Sequence, residues 1–210
     1  MISPLAALDA LHQGNRRFVS GNPRSNALPG AARLPEASAT QRPFAILLGC
    51  SDSRVPVELV FDQGFGDLFV IRVAGNIAGP SQVGSVEFAA LNFGTRLVVV
   101  LGHSRCGAIV TTLEGLLRPG KAQSPHLQSI IDQVLPSLEG LGTGEPSNQD
   151  DLIQQAVRAN VRASVKQLRE GSKMLGKLIE NEGLLVLGAE YSLETGIVDF
   201  FEGLEEIELT

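Results

Sequence analysis

Residues 96–107 read RLVVVLGHSRCG, an apolar run of strand length followed at once by histidine, serine, arginine, cysteine and glycine. A nearly continuous apolar run is typical of a strand buried on both faces, as in parallel sheets. Two similar runs lie upstream, PFAILLG at 43–49 and DLFVIRV at 67–73. Because strands of this kind alternate with segments of helical periodicity along the chain, the sequence predicts a mostly parallel sheet covered by helices.

The remaining elements complete an α/β fold. Ser3-Pro4 suits the start of a helix, with serine as the N-cap and proline at the first helical position. Helices are predicted over 4–19, 81–92, 106–117, 125–138 and 150–181. Two more strands are expected at 184–191 and 197–201, joined by a turn at 194–196. This last hairpin predicts an antiparallel edge extension of the sheet, which helices flank.

The length of 210 residues favours a single domain over 1–210, with an N-terminal helix and arm in 1–40 and the α/β core in 41–210. The segment GLGTGEPSN at 140–148 is interpreted as a linker inside that domain.

A net charge of −6 argues against a nucleic-acid partner. No apolar run reaches the roughly 20 residues of a membrane helix, and the first residues do not resemble a signal peptide. We therefore expect a cytoplasmic protein without a membrane partner.

Two polar segments follow predicted strands, CSDSR at 50–54 and HSRCG at 103–107. The carboxyl ends of parallel strands meet at one edge of a sheet, where ligands bind. Cys50, His103 and Cys106 would then converge as two thiolates and one imidazole, a ligand set that suits zinc and disfavours magnesium or calcium. Three protein ligands leave a fourth position open, as in catalytic zinc sites.

A plainer interpretation treats Cys50 and Cys106, the only cysteines, as small buried hydrophobic residues. A disulfide is not expected in a cytoplasmic protein. An isolated H-x-x-C pattern also occurs by chance. Metal binding is favoured because both cysteines and one of three histidines lie at predicted strand ends.

The pair CSDSR and GHSRCG resembles the β-class carbonic anhydrases. Similar segments extend over nearly the whole chain: QRPF at 41–44, GDLFVIR at 66–72, AGN at 74–76, GSVEF at 84–88 and the turn at 191–196. The resemblance implies reversible hydration of carbon dioxide to bicarbonate and a proton, with one zinc ion per chain. It also implies a homodimer or higher homo-oligomer with active sites at the dimer interface.

The resemblance assigns catalytic roles to Asp52 and Arg54. Asp52 would accept a hydrogen bond from the nucleophile, and Arg54 would hold that carboxylate ionised and away from the metal. The alternative is a surface ion pair of little energetic value.

Four residues match substrate-binding positions of the family: Gln41, Phe69, Phe88 and Gly107. Gln41 would donate a hydrogen bond to substrate, or be merely an exposed residue before a strand. Phe69 would form an apolar wall, or belong to the core. Phe88 stands where many plant-type members carry tyrosine, so a polar role there is lost. Gly107 would leave room for substrate, or satisfy a backbone conformation.

Other functions remain open. Relatives of this family hydrolyse carbonyl sulfide or carbon disulfide on the same scaffold. A non-catalytic zinc-stabilised protein is a further alternative, which the three-ligand set disfavours. A dinucleotide-binding protein would need G-x-G-x-x-G after a strand, and LGHSRCG at 101–107 lacks it.

Two further features carry expectations. A subset of the family binds bicarbonate at a second site made by a tryptophan, an arginine and a tyrosine. Here Arg72 and Tyr191 match, but Leu47 stands at the tryptophan position, so that regulation is not expected. A basic stripe also runs along the predicted 150–181 helix and is interpreted as a solvated face, or as a contact for the acidic C-terminus.

Overall fold

A computed structural model describes residues 2–24, 41–117, 124–141 and 149–204. Its centre is a five-stranded sheet with the spatial order β2-β1-β3-β4-β5. The strands are β1 (Ala45–Gly49), β2 (Leu68–Arg72), β3 (Leu97–His103), β4 (Leu185–Tyr191) and β5 (Val198–Glu202). The first four are parallel, and β5 pairs with β4 in the antiparallel direction. The predicted fold class is confirmed, antiparallel edge included.

Helices cover the sheet. They are α1 (Pro4–Val19), α2 (Val57–Val60), α3 (Pro80–Asn92), α4 (Gly107–Leu117), α5 (Pro125–Leu138), α6 (Gln149–Glu170) and α7 (Lys173–Glu182). The α1 helix begins as predicted, because the Ser3 side chain accepts the Ala6 N–H at 3.2 Å. The sequence did not predict α2 or a short 3₁₀ turn at Ala74–Asn76.

The single long helix predicted over 150–181 is wrong. The chain leaves the helix at Gly171 and starts α7 after Ser172, whose backbone is extended. The Ser172 hydroxyl accepts the Leu175 N–H at 3.1 Å and donates to the Glu87 carboxylate at 2.6 Å. Serine is a preferred N-cap residue, because its hydroxyl can bond to the backbone at the start of a helix. Ser172 takes this position and so separates α6 from α7.

The core occupies both faces of the sheet. Every residue of β1 and β3 is buried, as the continuous apolar runs predict. The α6 helix lies very close to β3 and β4. A Cβ atom added to Gly102 would lie 2.6 Å from one methyl group of Val161. A Cβ atom added to Gly188 would lie 2.7 Å from the second methyl group of the same valine. These glycines therefore set how near α6 comes to the strand that ends at His103.

Parts of three predicted segments lie outside the described residues: the arm beyond residue 24, the linker over 142–148 and the acidic C-terminus beyond residue 204. Among the helices that are described, none combines the length and the apolar character needed to cross a membrane.

Candidate metal centre

Three side chains meet at the carboxyl edge of the sheet. Cys50 directly follows β1, His103 is the last residue of β3, and Cys106 precedes α4. The potential ligand atoms of the three residues all lie within 4.8 Å of one another, and the two sulfurs are 3.8 Å apart. All three residues are buried. The predicted convergence is confirmed, with β3 running two residues further than expected.

The hydrogen bonds of His103 select its tautomer. Nδ1 lies 2.9 Å from the Ser104 carbonyl oxygen. Since a carbonyl oxygen only accepts, Nδ1 carries the proton and Nε2 presents a lone pair. Nε2 is buried without a hydrogen-bond partner among the described residues. A buried lone pair facing two sulfurs is the arrangement that a metal ion completes.

The two thiols are in hydrogen-bond contact, with their sulfurs 3.8 Å apart. A hydrogen bond from Cys106, helped by contacts with His103 and the Gly75 N–H, lowers the pKa of Cys50 to about 4. The same contact with Cys50, together with burial, raises the pKa of Cys106. Two neighbouring buried thiolates repel each other, so both ionise only beside a compensating cation. The donor set therefore fits a divalent metal such as zinc.

Asp52 and Arg54 form the fork-shaped pair that the sequence predicts. Arg54 donates from Nε to Oδ1 at 2.9 Å and from a terminal nitrogen to Oδ2 at 2.7 Å. Its backbone N–H also donates to Oδ1, at 2.9 Å. These hydrogen bonds hold the pKa of Asp52 well below its usual range. Asp52 Oδ2 lies 3.8 Å from His103 Nε2, so the carboxylate stands beside the ligand cluster.

Several contacts around the ligands were not predicted. The Gly75 N–H donates to Cys50 Sγ at 3.4 Å from the turn at Ala74–Asn76. The Ser104 hydroxyl donates to the Glu194 carboxylate at 2.8 Å and accepts the Leu193 N–H at 3.0 Å. The available signals were two family-like segments, AGN at 74–76 and the turn at 191–196, and neither supplies a predicted metal ligand. Backbone donors of this kind leave no mark in residue type.

Gly107 opens α4 beside the ligand Cys106 and is exposed. Its φ is not in the left-handed region, and a Cβ added there would meet no atom of the described residues within 4 Å. Neither the backbone conformation nor a neighbour in the described part of the chain requires glycine here. The alternative of a conformational glycine thus loses its support.

Comparison with known proteins identifies the family. The family model for carbonic anhydrase matches residues 45–198. Carbonic anhydrase 2 of Mycobacterium tuberculosis is 35% identical over 196 residues, which cover 92% of this chain and 91% of that protein. A carbonic anhydrase of Mycolicibacterium smegmatis is 36% identical over 205 residues, covering 98% and 97%. The chain belongs to the β-carbonic anhydrase family. The resemblance of the CSDSR and GHSRCG motifs had pointed to the same family.

Solved structures of β-carbonic anhydrases share the fold. The β-carbonic anhydrase CcaA superposes with a TM-score of 0.70 at 26% identity, covering 94% of this chain and 92% of that one. One of two tetrameric β-carbonic anhydrases from Sordaria macrospora gives a TM-score of 0.72 at 23% identity, covering 81% and 87%. The latter similarity concerns the fold alone.

In this β-carbonic anhydrase, three of the predicted substrate-binding residues lie away from the ligands of their own chain. Gln41 is exposed near Gly66, at the amino edge of the sheet. Cys50 lies at the opposite edge, beyond a five-residue strand that spans about 16 Å. Phe69 pairs with the second residue of β1 and packs against Phe88, their ring centroids 6.1 Å apart. Within one chain the structure does not bring these three residues to the metal centre.

Arg72 has a structural partner that the sequence did not reveal. Its guanidinium donates to the backbone oxygens of Cys50, at 3.0 Å, and of Asp52, at 2.5 Å. Leu47 is fully buried in the same core cluster as Tyr191. Arg72 therefore stiffens the loop that carries Cys50 and Asp52.

The basic stripe on α6 is partly neutralised within the chain. Arg158 donates to Glu190 at 2.7 Å and Asp199 at 2.6 Å, and Arg162 donates to Glu202 at 3.0 Å. The sequence offered two interpretations of this stripe, a solvated face or a contact for the acidic C-terminus. The bond between Arg162 and Glu202 is a contact of the second kind.

Proposed function

We propose that this enzyme catalyses the zinc-dependent, reversible hydration of carbon dioxide to bicarbonate and a proton. The observation that carries the proposal is the convergence of Cys50, His103 and Cys106, in which the buried His103 Nε2 has no hydrogen-bond partner within the described part of the chain. The membership of the chain in the carbonic anhydrase family supports the same reaction. Bound zinc would supply a Lewis acid that lowers the pKa of water toward neutrality, which makes a nucleophile available for carbon dioxide.

Asp52 is suited to orient that nucleophile. Within the described residues, Arg54 donates two hydrogen bonds to Oδ1 and one to Oδ2. A carboxylate offers about two lone-pair sites per oxygen, so one site on Oδ2 remains open. That oxygen is the one nearest His103 Nε2. Because Arg54 keeps the carboxylate ionised, Asp52 would act as an acceptor and not as a proton donor.

A second copy of the chain would complete the substrate pocket. The metal centre of one chain lacks three predicted substrate-binding residues, Gln41, Phe69 and Phe88, which lie away from the carboxyl edge of the sheet. Phe88 is 51% exposed although it is a large apolar residue. We assign these three residues to the site of a neighbouring subunit, where Gln41 would donate a hydrogen bond to carbon dioxide or bicarbonate. Gly107 would supply room next to Cys106. This assignment makes the active enzyme at least a homodimer.

The substrate is tested by one assay on the zinc-loaded protein with carbon dioxide, carbonyl sulfide and carbon disulfide side by side. We expect rapid proton release with carbon dioxide and little or no hydrogen sulfide from the other two. Hydrogen sulfide release with no hydration of carbon dioxide would replace the proposal with the sulfur-substrate alternative. Bound zinc without any turnover would point to the non-catalytic zinc protein. The cytoplasmic location stays a prediction.

A further inference from the structure

The turn at Ala74–Asn76 touches the metal centre through its backbone. The Gly75 N–H donates to Cys50 Sγ at 3.4 Å. The turn is strained, since φ is 73° at Gly75 and 44° at Asn76, which is a non-glycine residue in the left-handed region. Such backbone persists only where the surrounding structure holds it. The question is therefore what holds this turn in place.

Two buried side chains of α6 bind the carbonyl oxygens of the turn. Asn160 Nδ2 donates to the Gly75 oxygen at 2.7 Å, and Ser164 Oγ donates to the Asn76 oxygen at 3.0 Å. Both residues are almost fully buried, at 2% and 4% exposure. They are four residues apart and so lie on one face of the helix. The other buried residues of the helix are apolar: Ala156, Val157, Val161, Val165 and Leu168.

Packing alone does not explain two polar residues in this apolar face. Burying an amide or a hydroxyl is unfavourable unless it finds a hydrogen-bond partner. Here each finds its partner in the turn that contacts Cys50. The close approach of α6 over Gly102 brings both side chains within reach of the turn. On the other side, a Cβ added to Gly75 would lie 3.2 Å from the Ala108 Cβ, which leaves the turn little space to move.

We propose that Asn160 and Ser164 are positioning residues for the metal centre, which hold the 74–76 turn so that the Gly75 N–H points at the Cys50 sulfur. The proposal rests on the proposed function, because it takes Cys50 to be a zinc ligand. An N–H that donates to a thiolate stabilises its charge, and a fixed turn keeps the sulfur oriented. Groups that orient metal ligands typically change metal affinity by about 10- to 100-fold when they are removed.

The test compares the full-length, zinc-loaded wild type with Asn160→Leu and Ser164→Ala. Val165→Ala is the matched control, because Val165 is a buried α6 residue without a hydrogen bond to the turn. Zinc transfer to a chelating dye gives the metal affinity, and thermal unfolding gives the stability. The cobalt-substituted proteins report on the sulfur ligands through the sulfur-to-cobalt charge-transfer band. Ser164→Ala removes only a hydroxyl, so it keeps the test open if Asn160→Leu does not fold.

We expect both variants to bind zinc about tenfold more weakly or worse. Loss of the hydrogen bond raises the energy of the sulfur lone pairs, so the cobalt band should move to lower energy. Val165→Ala should lower the melting temperature but leave the zinc affinity and the energy of the cobalt charge-transfer band unchanged. The positioning role is overturned if the variants lose stability as Val165→Ala does but keep wild-type zinc affinity and the wild-type cobalt spectrum. A wild type that holds no zinc would instead overturn the proposed function, and this inference with it.

Discussion

Cys106 shows how one residue serves both the fold and the site. Its sulfur contacts Cys50 at 3.8 Å, and the residue stands directly before the first turn of α4. Oxygen is a poorer zinc ligand than a thiolate. Cys106→Ser should therefore reduce bound zinc to a small fraction of one ion per chain, as elemental analysis of the purified protein would measure. Ser53→Ala is the control, because it changes an exposed residue in the loops at the same edge of the sheet, and this variant should keep its zinc. One full zinc ion per chain in Cys106→Ser would refute the ligand assignment.

Arg54 is linked to the centre through Asp52, whose carboxylate it holds with paired hydrogen bonds. Arg54→Ala would free a carboxylate whose Oδ2 is already 3.8 Å from His103 Nε2, so Asp52 could turn to the metal and occupy the open position. Hydration activity should fall by about 10- to 100-fold while zinc content stays unchanged. Lys166→Ala removes an exposed ion pair on α6 and should leave the rate as it is. A near-normal rate in Arg54→Ala would mean that the pair is only structural.

Leu47 and Arg72 bear on regulation by bicarbonate. The Arg72 donors point to the carbonyl oxygens of Cys50 and Asp52, and Leu47 has no polar group for an anion. An anion partly buried with few donors is unfavourable. We therefore predict that excess bicarbonate does not bind beside Arg72. A crystal structure at mildly acidic pH with bicarbonate checks this, and an anion on Arg72 with Asp52 displaced from Arg54 would contradict it.

At the scale of elements, the break between α6 and α7 depends on one side chain. Ser172 is buried, caps α7 and donates to Glu87 on α3. Ser172→Ala would remove the cap and leave the Glu87 carboxylate without this donor. We expect a loss of about 1–3 kcal/mol in the free energy of unfolding.

Urea denaturation of the Ser172→Ala protein provides the measurement. Ser85→Ala is its control, because the hydroxyl of the partly buried Ser85 donates to the Ser81 carbonyl oxygen in the preceding turn of α3. That change should stay within about 0.5 kcal/mol of the wild type. Equal effects of the two substitutions would show that Ser172 does not hold the break.

At the scale of the molecule, the chain leaves a large apolar surface on α3. Leu91 is 61% exposed and Phe88 is 51% exposed, on the helix that also packs against Phe69. Large exposed apolar residues grouped on one element mark an interaction surface. Together with the position of Gln41, they predict a dimer or larger assembly at low micromolar concentration. Light scattering should show it, and an active monomer would rule it out.

A complementation experiment tests whether subunits share sites. Gln41→Ala and Cys106→Ser should each be impaired alone. Co-expressed, they form hybrid dimers in which one site combines the intact metal centre of one chain with the intact Gln41 of the other. We expect activity above that of either variant. Its absence, with hybrids demonstrated by mass spectrometry, would place Gln41 outside the neighbouring site.

Much of this protein follows from its sequence because the relevant properties are local. The apolar runs ending at Gly49 and Leu101 predicted two buried parallel strands, since burial on both faces demands apolar residues at every position. The ligand types at Cys50, His103 and Cys106 predicted a metal centre, because strand ends of a parallel sheet converge and thiolates with imidazole suit zinc.

Only the tertiary structure decided which distant groups surround those ligands. The Gly75 N–H reaches Cys50 because Asn160 and Ser164, from a helix far along the chain, hold its turn. Gln41 and Cys50 are close in sequence, yet strand β1 carries them to opposite edges of the sheet. The type of a residue does not reveal where its backbone N–H points or at which edge of the sheet it lies. Both depend on how the helices pack on the sheet.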